Sequence, residues 1–101
     1  MRPAPVQDQP AGGRVTLRYW AAARAATGLT EESVEVPGAV TLAALVDGAV
    51  ARHGGASSRA AAVLASCSVL LGDQPVSSAE PGAVLVEPGM TVEFLPPFAG
   101  G

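Results

Sequence analysis

The stretch TLAALVDGAVARHG, residues 41–54, carries the strongest structural signal in the chain. Thr41 can cap a helix by accepting a hydrogen bond from a backbone N–H of the first turn. Apolar residues then recur at helical spacing along one face: Leu42, Leu45, Val46, Ala49 and Val50. His53 and the two glycines that follow it end the helix. A helix with one apolar face needs a sheet to cover that face, so this stretch predicts a two-layer α+β domain.

Two strands are predicted before this helix. Residues 14–20 alternate apolar and polar side chains, which is the two-residue period of a half-buried strand. Residues 21–27 are rich in alanine and are followed by Gly28, which predicts one or two helical turns with a glycine C-cap. Residues 33–36 are predicted to form a short second strand that a Pro-Gly turn stops.

Further elements are predicted after the helix. Ser57 or Ser58 can cap a shorter helix, and residues 68–76 are typical of a hairpin with a Gly-Asp turn. The last strand, residues 90–95, follows a second Pro-Gly turn. Its alternation puts Met90, Val92 and Phe94 on one face and Thr91, Glu93 and Leu95 on the other. Leu95 is therefore predicted to lie on the polar face.

A hairpin, a crossover helix and further strands are the ingredients of a ubiquitin-like β-grasp fold. In this fold a mixed sheet packs on one main helix, and the α+β class follows from the order of the predicted elements. The pattern by itself leaves other orderings of the same strands open.

The composition argues against several classes of function. The chain has 101 residues, enough for one core, and its net charge of -3 includes no basic cluster, so binding to nucleic acid or to a membrane surface is not expected. Its one cysteine, Cys67, cannot form an internal disulfide, and its one histidine, His53, excludes a multi-histidine metal site within one chain. Since no secretion signal or membrane-spanning run is apparent, the cytoplasm is the expected compartment.

The two ends of the sequence are predicted to lie outside the domain, which spans residues 14–95. Residues 1–13 contain three prolines and two glycines with few large apolar side chains, which predicts a mobile, disordered N-terminal tail. Residues 96–101 read PPFAGG. Because the two prolines offer no backbone donor, they are expected to end the sheet pairing and to extend a flexible C-terminal tail away from the domain.

The last two residues of this tail suggest its chemistry. Gly100 and Gly101 have no side chains, so the backbone could pass through a narrow channel and present the carboxylate of Gly101 to a buried catalytic site. A partner would first have to activate this carboxylate as a mixed anhydride with a nucleotide. A sulfur donor could then displace the nucleotide and leave a thiocarboxylate. The alternative is that the glycine pair is a frayed end without function.

Four segments make the chain resemble the MoaD/ThiS family of sulfur carriers. They are VTLRYWAAARAATG, TLAALVDGAVARHG, VLASCSVLLGDQPV and VEFLPPFAGG, and together they cover nearly everything from Arg14 onward. The last of them is the most specific, and the resemblance is closest to the MoaD branch, the small subunit of molybdopterin synthase. The link into the last strand departs from the family pattern, because it is longer than usual.

The resemblance implies a carrier protein and not an enzyme. In the family the terminal glycine, here Gly101, is adenylated by an E1-like enzyme of the MoeB/ThiF type, which uses ATP, and is then converted to a thiocarboxylate. The large synthase subunit, of the MoaE type, takes the sulfur for the pterin precursor of the molybdenum cofactor, and the carrier itself is expected to bind no cofactor or metal. The resemblance places the partner contacts on Gly100, Ala99, Phe98, Pro97, Pro96, Leu95 and Arg24. The alternatives are that Arg24 is a solvated helix residue and that Leu95 packs beneath the tail.

Two other functions are compatible with the same residues. The chain could carry sulfur for thiamine, cysteine or a secondary metabolite. It could also be a ubiquitin-like modifier or interaction module, whose C-terminus forms an amide with a lysine of a target. All six basic residues are arginine, so such a modifier could not build chains on its own side chains.

Four other side chains invite a functional interpretation, and a structural one is preferred for each. Cys67 is expected to be buried and unreactive, because no second cysteine or nearby base accompanies it. His53 is expected to complement the helix dipole. Tyr19 and Trp20 are expected to be packing residues, because no basic groove accompanies them.

Overall fold

The computed structural model describes residues 12–76 and 80–97. Within these ranges the strands are β1 (Gly13–Tyr19), β2 (Glu31–Val36), β3 (Val40–Thr41), β4 (Ser68–Leu71), β5 (Gln74–Val76), β6 (Leu85–Val86) and β7 (Thr91–Leu95). The helices are α1 (Ala21–Thr27), α2 (Leu42–Arg52) and α3 (Arg59–Ala65), with a short 3-10 helix at Pro81–Ala83.

The main sheet is mixed and has the strand order β2-β1-β7-β4-β5. Its central strands, β1 and β7, are parallel, with Leu17 beside Val92, whereas the other neighbouring strands are antiparallel. A separate ribbon pairs β3 with β6. A parallel central pair, with α2 between its two strands in the chain, is the β-grasp arrangement, so the predicted fold class is confirmed.

One apolar core lies between the main sheet and the helices. The sheet contributes side chains from its helix-facing side: Val15, Leu17, Tyr19, Val69, Val92 and Phe94. The helix α2 contributes Leu42, Leu45 and Ala49, and Val46 and Val50 pack at the margin of the core. The apolar face predicted for this helix is therefore confirmed. Full burial of a large apolar side chain contributes about 1.5–3 kcal/mol relative to exposure.

Local capping interactions fix the ends of the helices. The side chain of Thr41 accepts a hydrogen bond from the first turn of α2 at 3.1 Å, as predicted. The side chain of Ser58, and not of Ser57, does the same for α3 at 3.0 Å. Gly28 ends α1 with a φ of 79°, a left-handed conformation that glycine adopts without strain.

The pairing of β1 with β2 extends both strands beyond their predicted bounds. Gly13 lies opposite Val36, and Arg18 lies opposite Glu31. As a result β1 begins one residue before the predicted start of the domain, and β2 begins before Ser33. The predicted N-terminal tail lies, as far as residue 11, outside the described residues.

The prediction that the last strand begins at Met90 is wrong. Gly89 has a φ of 94°, and the backbone N–H of Met90 donates to the carbonyl of Glu87 at 3.1 Å. Met90 therefore belongs to the turn and is exposed, whereas β7 begins at Thr91. The turn exposes the side chain of Met90, so the alternation fails at this residue, although its carbonyl still accepts a hydrogen bond from the backbone N–H of Thr16 in β1 at 3.1 Å.

Candidate functional site

The residues predicted to carry the chemistry lie partly beyond the described part of the chain. Phe98, Ala99, Gly100 and Gly101 lie outside the described residues. Leu95 is the last residue of β7, and Pro96 and Pro97 follow it outside any strand. We call Leu95, Pro96 and Pro97 the C-terminal root. The end of the sequence therefore follows directly after β7, the strand at the centre of the sheet.

Leu95 lies on the sheet face that points away from the core. The burial of β7 alternates, with Val92 and Phe94 fully buried on the helix side. Leu95 is partly buried on the other side, beside Ser68 of β4. The predicted outward orientation of Leu95 is confirmed.

An apolar cavity of about 170 Å³ borders the C-terminal root. Its lining comes from Trp20, Ala21, Leu95 and Pro96, and we call it the Trp20 cavity. The backbone N–H of Trp20 donates to the carbonyl of Phe94 at 3.2 Å, which joins the end of β1 to the end of β7. The cavity therefore lies where β1 and β7 end together, at Leu95 and Pro96.

Trp20 presents a fixed aromatic surface at this cavity. Trp20 is 41% exposed, whereas Tyr19 is buried as predicted. The indole N–H donates to Glu93 at 2.9 Å, and the guanidinium carbon of Arg18 lies 5.1 Å from the ring centroid. An exposed aromatic ring held in one orientation is typical of a protein contact site.

The backbone is strained where the Trp20 cavity meets α1. Ala21 has a φ of 49°, and it is the one non-glycine residue with a positive φ in the described part of the chain. This conformation costs about 1–3 kcal/mol, and such strain clusters at functional sites. Here it turns the chain from β1 directly into α1 and leaves Trp20 at the rim of the cavity.

Arg24 is the remaining predicted contact that the structure describes. It is exposed on α1, three residues after Ala21, and α1 packs against β7. Residues at this spacing are neighbours on a helix surface. Its guanidinium thus belongs to the helix that begins at the Trp20 cavity.

A cluster of polar side chains joins the end of β1, the start of β2 and the end of α2. The carboxylate of Glu32 accepts a hydrogen bond from the hydroxyl of Tyr19. It also accepts two hydrogen bonds from Arg52, one from Nε and one from Nη2, each at 3.2 Å. His53 Nε2 lies 2.9 Å from the same carboxylate, so its side chain binds Glu32 and does not simply complement the helix dipole as predicted. The ring of Tyr19 also stacks on Phe94 of β7, with centroids 5.7 Å apart.

The charge of Glu32 is stabilised within this cluster. Burial alone would raise the pKa of Glu32, but the hydrogen bonds from Arg52, Tyr19 and His53, together with the charge of Arg52, lower its pKa to about 2. Burial and the neighbouring Glu32 raise the pKa of Tyr19 well above its usual range. At neutral pH the cluster therefore contains a neutral phenol and an ionised carboxylate, which suits a structural role.

Cys67 has the buried environment predicted for it. Its thiol donates to the carbonyl of Val63 at 3.3 Å, and burial raises its pKa to about 11. A protonated, buried thiol is a poor nucleophile at neutral pH.

Within residues 12–76 and 80–97, no group of three or more His, Cys, Asp or Glu side chains is placed to hold a metal ion. No helix in the same part of the chain is long and apolar enough to cross a membrane.

Comparison with known sequences identifies one family. A sequence model of the ThiS family matches residues 17–101. No curated protein matches the chain at a significant level.

Comparison with solved structures identifies similar folds. SAMP1 from Haloferax volcanii is 22% identical with a TM-score of 0.70, and the match covers 88% of this chain and 100% of that one. The HVO 2177 protein of the same organism is 21% identical with a TM-score of 0.70, covering 90% and 89%. A chain from the protein–protein complex of subunits 1 and 2 of molybdopterin-converting factor from Helicobacter pylori is 17% identical with a TM-score of 0.57, covering 87% and 99%. At these identities the likeness shows the fold alone.

Proposed function

Because the chain belongs to the ThiS family of ubiquitin-like sulfur carriers and modifiers, we propose that it carries sulfur as a thiocarboxylate on Gly101 for molybdopterin synthesis. The observation that carries the proposal is the family match, which extends to residue 101 and so includes both glycines at the end of the sequence. The β-grasp fold and the apolar cavity at the C-terminal root support it. The proposal places the protein in the cytoplasm, where ATP is available to an activating enzyme.

The first step activates the carboxylate of Gly101. In an E1-like partner of the MoeB/ThiF type, a carboxylate oxygen attacks the α-phosphorus of ATP, and pyrophosphate leaves. A sulfur nucleophile at the oxidation level of sulfide then attacks the carbonyl carbon, and AMP leaves with the electrons of the C–O bond. The product is a thiocarboxylate, a covalently held sulfur nucleophile. ATP is a co-substrate of the partner, and no cofactor is assigned to this chain.

The second step delivers the sulfur. The thiocarboxylate would enter the active site of a large synthase subunit of the MoaE type, where its sulfur attacks an electrophilic carbon of the pterin precursor and displaces an oxygen leaving group from that carbon. Water then attacks the acyl carbon of the resulting thioester. The C–S bond to Gly101 breaks, the sulfur stays on the precursor as a thiolate, and the carboxylate of Gly101 is restored. In this scheme the carrier provides no catalytic side chain, and its contribution is to bind and present Gly101.

The surface around the C-terminal root is proposed as the partner contact. Trp20, Leu95 and Pro96 form an apolar surface next to the residues that the partner must take up. The exposed Arg24 adds a positive charge on the adjoining helix α1. Aromatic and arginine side chains dominate the energy of many protein interfaces, which supports the assignment.

The proposal can be tested by ATP–pyrophosphate exchange with the E1-like enzyme of the same organism. Deletion of Gly101 is expected to abolish exchange. Trp20→Ala is expected to raise the carrier concentration for half-maximal exchange about tenfold, equivalent to about 1.4 kcal/mol. Leu85→Ala is the matched control, because Leu85 is 60% exposed and lies on the separate β3–β6 ribbon. Exchange that survives deletion of Gly101 would contradict the proposal.

Protein modification is the second candidate function, favoured by the fold likeness to SAMP1. The first step would be the same, but a lysine amine of a target would take the acyl group from the adenylate. Conjugates in a lysate of the native organism that survive denaturation and disappear when Gly101 is deleted would favour this function. A thiocarboxylate without such conjugates would favour the carrier.

A further inference from the structure

A second apolar cavity lies at the other end of the sheet from the C-terminal root. It has a volume of about 170 Å³ and lies between the end of β2 and the first turns of α2. We call this cavity the β2 groove. Its lining includes Val34, Val36, Pro37, Val40, Ala44 and Gly48. Val36 pairs with Gly13 at the start of β1, whereas Phe94 of β7, just before the C-terminal root, pairs with Tyr19 at the end of β1. The two cavities are therefore at opposite ends of β1.

The β2 groove is bordered by the outer edge of β2. The backbone N–H of Tyr19 donates to the carbonyl of Thr30, just before β2, at 2.9 Å. Because the direction of these groups alternates along a strand, every second residue from Thr30 faces β1 and the residues between face outward. The residues whose backbone groups face outward are Glu31, Ser33 and Glu35, and β2 is an edge strand, so no described strand lies on that side of them. Their backbone groups can pair with an added strand.

The side chains around this edge define what could bind there. An added strand would lie about 4.8 Å from β2 and would point alternate side chains into the apolar groove beside α2. Its other side chains would lie next to Glu31 and Glu35, whose side chains are 56% and 77% exposed. These two glutamates already pair with Arg18 and Arg14, but exposed pairs of this kind contribute little. Opposite charges on neighbouring strands are favourable.

We propose that the β2 edge and groove bind an extended segment of a partner protein in which branched apolar residues alternate with basic residues. The apolar side chains enter the groove, and the basic side chains complement the two exposed glutamates on a chain of net charge -3. Arg52 also lines the groove, but Glu32 holds its guanidinium. Binding of an extended peptide to a sheet edge draws its affinity from main-chain hydrogen bonds and its specificity from alternate side chains.

Two other occupants fit this site less well. Residues 1–11 of the same chain contain three prolines, which lack the N–H needed to pair with an edge strand. A second copy pairing through its own β2 would bring the acidic edges together, and like charges on neighbouring strands are destabilising. A basic, apolar partner segment has neither disadvantage.

The location of the groove gives the interaction a function beyond sulfur transfer. Because the groove and the C-terminal root lie at opposite ends of β1, a peptide in the groove would leave the C-terminal root uncovered. A bound partner could then keep the carrier near the proteins that load or unload it. This proposal does not depend on the chemistry of Gly101.

Binding can be measured by NMR with the full-length, isotope-labelled protein. The probe is the acetylated, amidated peptide Lys-Val-Lys-Val-Lys-Val-Lys, and the control peptide has serine in place of each valine. The valine peptide is expected to shift the amide resonances of Glu31, Ser33, Glu35 and Gly48, with a dissociation constant below about 1 mM. The serine peptide has the same charge and is expected to bind at least tenfold more weakly.

Three variants separate the groove from general charge effects. Ala44→Arg places a bulky like charge in the groove and is expected to weaken peptide binding at least tenfold. Ala51→Arg makes the same change at an exposed position of α2 outside the groove, so binding should stay within twofold of the original protein. Ser33→Pro removes one outward donor and should weaken binding while thermal unfolding shows a folded protein.

The proposal is overturned if the valine peptide does not bind, if its shifts map to the Trp20 cavity, or if the two arginine variants lose binding equally. It is also overturned if another occupant is found. Groove resonances that move on deletion of residues 1–11, without any effect of the peptide, would identify the N-terminal segment as the occupant. Groove resonances that move with protein concentration alone would identify a second copy.

Discussion

Glu32 joins β1, β2 and the end of α2 through one carboxylate. Replacing it by glutamine keeps the shape but removes the charge that Arg52, Tyr19 and His53 bind. Glu32→Gln is expected to lower the free energy of unfolding by about 1–3 kcal/mol, measured by urea denaturation at pH 7. Glu31→Gln, which alters a neighbouring exposed ion pair, is the control and should change this energy by less than about 0.5 kcal/mol. Equal effects of the two changes would contradict the assignment.

The low pKa of Glu32 also predicts how stability depends on pH. Its pKa falls from an ordinary 4.5 to about 2 on folding, so the folded protein holds this carboxyl ionised more strongly than the unfolded chain does. The resulting stability is present above pH 4.5 and is lost as the pH falls toward 2. Denaturation curves between these pH values should show a decline that is smaller in Glu32→Gln. The same slope in both proteins would assign the decline to other groups.

The buried thiol of Cys67 gives a prediction about reactivity. Because burial raises its pKa to about 11, Cys67 should react with iodoacetamide at pH 7.5 at least 100-fold more slowly in the folded protein than in urea. Mass spectrometry of timed samples measures both rates. Rapid alkylation of the folded protein would instead reopen a role for Cys67 in sulfur transfer.

The alternation of the strands indicates which face Glu32 and Trp20 lie on, although the sequence alone assigned neither residue to a site. Glu32 is in phase with Val34 and Val36, so a two-residue period places it on the buried side of β2. Trp20 is in phase with Arg18, on the side opposite the core. Neither partner set could be predicted, because Arg52 and Glu93 meet these residues only through long-range packing. Periodicity gives the face of a side chain but not its contact.

At the scale of elements, α1 depends on the backbone conformation of Gly28. Its φ is 79°, and an added Cβ would meet no atom within 4 Å, so Gly28→Ala would be strained by its backbone alone. The change is expected to lower the free energy of unfolding by about 1 kcal/mol. Gly38→Ala is the matched control, since that site is equally open and does not have a positive φ, and its effect should be below about 0.5 kcal/mol. Thermal unfolding of both variants makes the comparison, and an equal loss in both would contradict it.

The elements differ in how far the sequence predicts them. The helices and their caps could be predicted because Thr41, Ser58 and Gly28 act within one or two turns. The β4–β5 hairpin, at the predicted residues 68–76, has a similarly local Gly-Asp turn. The β3–β6 ribbon was not predicted, because strands of two residues have no readable period and pair only once α2 is in position.

At the scale of the whole molecule, the sheet separates two surfaces. The tail strand β7 lies at the centre of the sheet and ends beside the Trp20 cavity, whereas β2 forms an edge at the β2 groove. The fold class and the family could be predicted from the sequence, and both are confirmed. The assignment of Gly101 stays a prediction, because it concerns a residue outside the described ranges and a reaction that takes place in a partner.

The most direct test of sulfur carriage is the intact mass of the protein from its native organism. A strain that lacks the large synthase subunit should be used, because the thiocarboxylate would accumulate where it cannot be unloaded. The account predicts a species heavier by the difference between sulfur and oxygen, with the added mass mapped to Gly101 by fragmentation. Only the unmodified carboxylate mass in that strain would contradict it.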